Sequence, residues 1–238
     1  MKKRIFIVIA IYKTEDKKLN RMLKFITKKM SIDLENIIIV DNFPLPHKKF
    51  NCNKINGSNN LMDISAYSEG FNEVKDFDYC LFMNDTAIIE SDSYEKIRRM
   101  FEIMKNLETP IPLLMGDMNR TNLYDNTYGH SIGYIRTNLF CINYAMRSGL
   151  IRSLKIISLS PKIELLKKLH CSFYNKAFSN YKYITPNVTD ETRLKKAYAL
   201  AFEQNITNIA SESGMIIGVI RGLRDRIIIK IKASLRIY

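Results

Sequence analysis

Apolar and polar positions follow two alternating regimes along the first half of the chain. Arg4 to Tyr12 (RIFIVIAIY) is β-branched and almost unbroken in its hydrophobicity, the pattern of a strand buried on both faces. The next segment places Leu19, Met22, Leu23, Ile26 and Met30 at helical spacing, with lysines between them. Asn36 to Val40 (NIIIV) is a second buried strand, ending in Asp41-Asn42. Phe43 to Asn60 reads as a polar loop, and Leu61 to Val74 as a short helix. Tyr79 to Met83 (YCLFM) is a third buried strand, ending in Asn84-Asp85-Thr86. Asp92 then predicts a capped helix, with Glu95 as the returning carboxylate and Ile97, Met100, Phe101, Met104 and Leu107 as its apolar stripe.

Buried strands alternating with amphipathic helices predict an α/β architecture with a mostly parallel sheet. Ligands of such sheets bind beyond the carboxyl ends of the strands. That rule directs attention to Tyr12, Asp41-Asn42 and Asn84-Asp85-Thr86, which would meet on one edge.

The second half has a different rhythm. Leu113 to Met118 and Tyr134 to Asn143 read as strands flanking a polar loop, and the chain turns mainly helical after Gly149. Ser160-Pro161 is a helix start, followed by a stripe of Ile163, Leu166, Leu169 and Phe173. A second stripe, from Leu194 through Ala197, Tyr198, Ala201, Phe202, Asn205, Ile206 and Ile209, ends near Gly214. From Met215 to Tyr238, apolar residues recur every three or four positions, among Arg221, Arg224, Arg226, Lys230, Lys232 and Arg236. This predicts a basic amphipathic helix suited to an anionic membrane surface. The organisation expected is therefore a core over residues 1–150, a helical extension packed on it over 151–214, and the basic helix over 215–238.

Composition narrows the class. The chain has 238 residues, 46% of them hydrophobic, which suits a folded globular protein, and its formal net charge is +13. No apolar run approaches the ~20 residues of a spanning helix. The basic start, Met1-Lys2-Lys3-Arg4, leads directly into a strand-like run without a small-residue cleavage site, so no signal peptide is expected. Cys52, Cys80, Cys141 and Cys171 lack metal-ligand spacing and read as reduced thiols of a cytoplasmic protein. His47, His130 and His170 likewise lack metal-ligand spacing. The positive charge admits nucleic acid, an anionic membrane or phosphorylated substrates. Nucleic acid is disfavoured because no recognition motif is present and the cations are spread over several helices. A nucleotidyltransferase is disfavoured because Lys13-Thr14-Glu15-Asp16, after the first strand, contains no glycine.

The most specific signal is Asn60-Leu61-Met62-Asp63-Ile64-Ser65-Ala66-Tyr67 with Gly70-Phe71, followed by Asp78-Tyr79 and Met83-Asn84-Asp85-Thr86. A carboxylate opening a helix is stabilised there and offers a fixed acceptor for sugar hydroxyls. One just past a buried strand is held rigidly toward the ligand crevice, where it suits a ribose or a divalent cation. This pattern, with Val40-Asp41-Asn42 before it and Tyr134 to Phe140 after it, resembles the rhamnan synthesis protein F group of glycosyltransferases.

The resemblance implies a GT-A fold, with a Rossmann-like nucleotide-binding sheet, and transfer of a sugar from a nucleoside-diphosphate sugar. The acceptor would be a saccharide or lipid-linked saccharide of cell-surface polysaccharide or lipo-oligosaccharide assembly. Tyr12, Asp41 and Asn42 would lie beside the nucleobase and ribose, and Asn60 and Asp63 would contact the donor. Asn84, Asp85 and Thr86 would occupy the place of the group's DxD motif. Only Asp85 supplies a carboxylate in that triplet, so it is the candidate ligand for Mg²⁺ or Mn²⁺. Lysine or arginine side chains are the alternative means of neutralising the diphosphate. For an inverting reaction the candidate bases are Asp117, then Asp125 and His130. The expected location is cytoplasmic, peripheral on the inner face of the cell membrane.

Overall fold

The structure is a computed structural model that describes residues 3–43, 52–119, 134–159, 190–219 and 228–230. Its centre is an eight-stranded sheet. In chain order the strands are β1 (Ile5–Ile11), β2 (Ile37–Asp41), β3 (Asn53–Asn56), β4 (Tyr79–Asn84), β5 (Leu113–Asn119), β6 (Tyr134–Asn143), β7 (Met215–Val219) and β8 (Ile228–Lys230). The helices are α1 (Asp16–Met30), α2 (Asp63–Asn72), α3 (Asp85–Ile89), α4 (Ser93–Asn106), α5 (Arg147–Leu159) and α6 (Asp190–Ser213). The strands lie in the order β3-β2-β1-β4-β6-β5-β7-β8. All run the same way except β6 and β8, which are antiparallel to their neighbours.

Each face of the sheet carries its own core, which explains the unbroken hydrophobicity of β1, β2 and β4. Val8, Ile38, Val40 and Phe82 face α2 and α6, against Ile64, Tyr67, Phe71, Tyr198 and Phe202. Ile7, Ile9, Ile39, Leu81 and Met83 face α1 and α4, against Leu19, Met22, Ile26, Met100 and Phe101. The buried residues of α1 are those of its predicted stripe. On the α2 side, Phe82 and Phe140 are cross-strand partners whose rings stack at 4.6 Å. Tyr67 packs edge-on against both, at 5.5 and 5.4 Å. The Tyr67 hydroxyl donates to the Thr137 carbonyl at 2.6 Å, so the ring is fully buried without an orphaned polar group.

Three expectations are corrected. The segment 43–60 is not all loop, because Asn53–Asn56 pairs in parallel with Ile38–Asp41. Its side chains are half-buried or exposed, so β3 lacks the apolar signature of its neighbours. Asp92 makes no side-chain cap at the start of α4. It pairs instead with Lys96 at 3.1 Å, while Glu95 binds Arg98 and Arg99.

The third correction concerns the basic amphipathic helix expected over 215–238, of which 220–227 and 231–238 lie outside the described residues. Met215–Val219 is a strand inside the sheet, paired in parallel with Leu113–Asp117, and Ile228–Lys230 pairs with it in turn. Isoleucine-rich sequence is β-branched and suits a sheet, and the periodicity of three or four was a local coincidence overridden by a non-local partner. Within 151–214 the described helices are α5 and α6: α5 packs on α6 and α2, and α6 packs on β6 and β7. The proposed helix start at Ser160-Pro161, with His170 after it, lies outside the described residues. No helix among the described residues is long and apolar enough to cross a membrane.

Candidate functional site

The chain proceeds from β1 outward to β2 and β3, then returns to place β4 on the other side of β1. The sheet therefore reverses its order between β1 and β4, and the position beyond their carboxyl ends is where open α/β sheets form a ligand crevice. Tyr12 and Lys13 follow β1 there, and Asn84 and Asp85 end β4 and begin α3.

Two motif segments far apart in sequence meet at this point. Asn84 is buried, and its Nδ2 donates to Asp63 Oδ2 at 2.5 Å. Its Oδ1 accepts from the Ala87 N–H at 3.3 Å, capping α3. Asn84 thus uses both ends of its amide, one to start α3 and one to fix the first residue of α2. Burial raises the Asp85 carboxyl above its ordinary range, against the opposing pull of the backbone N–H groups of Thr86, Tyr12 and Asp85 itself. Burial also raises the Tyr67 hydroxyl, and the charges of Asp63, Asp85 and Glu203 add to that effect.

The positions of the remaining candidates vary. Tyr12 is 43% exposed and packs edge-on against Phe43 at 5.4 Å. The Lys13 ammonium lies over the Phe43 ring at 4.4 Å and the Tyr12 ring at 5.4 Å. Asp41 is fully buried, accepts from the Phe43 N–H at 3.1 Å and pairs with Lys54 at 2.9 Å. Asn42 is also buried and donates to the Met62 carbonyl at 3.1 Å. Both residues brace the loops of the crevice from within. Thr86 is exposed beside Asp85. Asn60 is exposed and lines a cavity of about 410 Å³ between α2 and α5, whose lining includes none of Asp63, Asn84 and Asp85.

Asp117 lies two residues before the end of β5, toward the same edge of the sheet. It is buried, and each of its oxygens meets a cation: Lys96 Nζ at 3.1 Å from Oδ1, and Arg136 Nη1 at 3.3 Å from Oδ2. Asp125 and His130 lie outside the described residues.

The helix α6 contributes groups that the sequence did not single out. β6 runs past the end of β4, leaving its first N–H groups without a strand partner on that side. Glu203 Oε1 accepts from the Thr137 N–H at 2.7 Å and from its hydroxyl at 2.9 Å. Thr207 Oγ1 accepts from the Ile135 N–H at 3.1 Å. α6 thus takes over the role of a missing strand edge. The available signal was the run Glu203-Gln204-Asn205 and Thr207-Asn208, polar on every face of a helix otherwise apolar enough to be buried.

Among the described residues, no group of three or more His, Cys, Asp or Glu side chains is arranged to hold a metal ion. Comparison with protein-family models finds none that matches the chain, and comparison with curated proteins also finds no match.

Proposed function

We propose that the chain is a glycosyltransferase that binds a nucleoside-diphosphate sugar at the carboxyl edge of β1 and β4. It would transfer the sugar to a saccharide or lipid-linked saccharide acceptor of cell-surface polysaccharide or lipo-oligosaccharide assembly. The observation that carries this reading is the hydrogen bond between Asn84 and Asp63. It joins the two motif segments at the point where the strand order reverses, which is where an open α/β sheet holds a nucleotide. A GT-A arrangement agrees with this placement, in an α/β fold whose sheet is mixed.

In this reading Tyr12 and Phe43 offer ring faces for a nucleobase, and Asp63 accepts from donor hydroxyls. Asp85 would be the residue that holds Mg²⁺ or Mn²⁺, since hard cations take oxygen donors. Such a cation supplies positive charge for the departing diphosphate. Asp41 and Asn42 support the nucleotide indirectly, through the loops they brace.

The reading is tested by incubating the protein with a panel of UDP-, GDP- and dTDP-sugars plus Mn²⁺ and measuring release of the nucleoside diphosphate. Release from at least one donor, lost in Asp85→Ala and Asp63→Ala, is the expected result. Release from none of the panel contradicts the assignment of donor class.

A further inference from the structure

A line of alternating charges crosses the carboxyl edge of the sheet beside the proposed nucleotide site. Asp92, at the start of α4, pairs with Lys96 at 3.1 Å. The same ammonium reaches Asp117 Oδ1 at 3.1 Å, and Asp117 Oδ2 meets Arg136 at 3.3 Å. The inner members are desolvated, with the side chains of Lys96 and Asp117 each only 8% exposed, whereas that of Arg136 is 47% exposed. The line therefore begins inside the protein and ends on a guanidinium that reaches water.

A buried ion pair is a weak source of stability, because desolvation offsets most of the attraction. Such a pair is well suited to fixing the direction of a third group. Here Asp117 receives a cation on each oxygen, which is a poor arrangement for a base that must accept a proton from a sugar hydroxyl. It is a good arrangement for holding a guanidinium in one orientation. Arginine has five N–H donors in a planar fork, and Arg136 spends one nitrogen, Nη1, on Asp117. Burial lowers the proton affinity of the Arg136 side chain, but Asp117, Glu203 and Glu90 together outweigh it, so the group stays charged.

Its location completes the argument. α3, the helix that Asp85 begins, packs against β6, the strand that carries Arg136. The carbonyl of Thr137, next to Arg136, accepts from the hydroxyl of Tyr67, one turn after Asp63 on α2, and the pairing of Met83 with Leu139 puts Arg136 three residues beyond the end of the β4 ladder, on the Asn84 side. Arg136 therefore shares its surroundings with the motif carboxylates. Those carboxylates alone would repel a diphosphate. We propose that Arg136 binds the diphosphate of the nucleotide through its remaining N–H groups, with Asp117 as a positioning residue and Lys96 as the counter-charge beneath it. This rests on the nucleotide-sugar reading above, but it reassigns Asp117 from base to support and adds a protein cation to the site. Planar bidentate recognition of phosphate is the chemistry for which arginine is best suited.

The test is titration calorimetry on the full chain with UDP, GDP, dTDP, their parent nucleosides and inorganic pyrophosphate, for the wild type and for Arg136→Gln, Arg136→Lys and Asp117→Asn. Arg136→Gln is expected to weaken nucleoside-diphosphate and pyrophosphate binding about ten- to a hundredfold, the range for losing hydrogen bonds to a charged group. Arg136→Lys should recover part of the loss, since it keeps the charge without the fork. Asp117→Asn should weaken the diphosphates several-fold while leaving affinity for the parent nucleoside unchanged, a split that a general loss of structure would not give. If the wild type binds a nucleoside diphosphate and Arg136→Gln binds it within twofold, the inference is overturned and the function reading stands. If the wild type binds pyrophosphate through Arg136 but no nucleoside diphosphate, the anion site stands and the function reading falls. Binding of neither ligand by the wild type overturns both.

Discussion

At the scale of single residues, the site depends on a few groups placed where they are costly. Asp85 is the clearest case. Its folded-state pKa is raised by burial, so the charged form is disfavoured relative to the unfolded chain. A carboxyl group shifted in that direction supports folding below its unfolded pKa and loses that support as pH rises through the folded value. At neutral pH its charged form is therefore a cost to folding, one that the proposed binding role would explain. Asp85→Asn should accordingly raise the melting temperature at pH 7 by about a degree or two, with the gain shrinking as pH falls through the raised folded value and gone below the unfolded value of about 4, while nucleotide binding is lost. A melting temperature unchanged or lowered at pH 7 would show that burial is not the dominant influence on this group. Asn84 behaves oppositely, because it is structural and functional together. Asn84→Ala removes an N-cap and the bond to Asp63, and should cost about 1–2 kcal/mol in denaturant unfolding.

These residues differed in how legible they were. Asp63 and Asp85 stood out because each is a carboxylate at a boundary between elements, and the structure brings both to one crevice. Asp41 had the same local signature, yet it is an internal strut held by Lys54 and the Phe43 N–H. Nothing in the sequence distinguishes a carboxylate after a strand that faces a ligand from one that faces a neighbouring strand. Arg136 was visible only as one alternating residue of a strand, and its meaning depends on Asp117 and Lys96, which are remote in the chain.

At the scale of elements, legibility followed burial. β1, β2 and β4 are covered on both faces and announce themselves as apolar runs, and α1 and α4 show clean stripes. β3 is half-exposed and was hidden within polar sequence. β7 was misassigned because its pairing with β5 joins residues about a hundred positions apart, which no local period reveals. The motif glycine also acquires its reason at this scale. A Cβ on Gly70 would lie 2.4 Å from Val8 Cγ1 and 2.9 Å from Val40 Cγ2. α2 therefore approaches the sheet closely, which sets the depth at which Asp63 meets Asn84. Gly70→Ala should cost about 1–3 kcal/mol through overpacking and also weaken nucleotide binding by lifting Asp63. Chemical denaturation combined with nucleotide titration separates the two effects, and an unchanged stability would show that the helix is free to shift.

At the scale of the whole molecule, the net charge of +13 coexists with a crevice rich in carboxylates. An excess of positive charge suits an anionic surface, and we propose a membrane presenting a lipid-linked acceptor as the partner to test. Flotation with anionic liposomes at low salt should carry the full chain to the top of the gradient and should fail at high salt. Recovery at the bottom under both conditions would sever the link to a membrane. The sheet changes what truncation means. Removing everything after Gly214 deletes β7, whose Ile216, Ile217 and Val219 are buried, so the shortened chain should lose cooperative unfolding rather than merely a surface segment. A sharp melt of the shortened chain would contradict the placement of β7 in the sheet.

The central claim is that the carboxyl edge of β1 and β4 holds a nucleoside diphosphate through Asp63 and Asp85. The most direct measurement is a thermal-shift panel of UDP, GDP and dTDP, each with and without Mn²⁺, on the wild type, Asp63→Ala and Asp85→Ala. A ligand that binds only the folded state at a hundred times its dissociation constant adds about 2.7 kcal/mol of stability, which for a chain of this size is several degrees. The predicted result is a shift of that order for one nucleotide in the wild type, strengthened by Mn²⁺ and abolished in both variants. No shift with any nucleotide, or equal shifts in all three proteins, would contradict it.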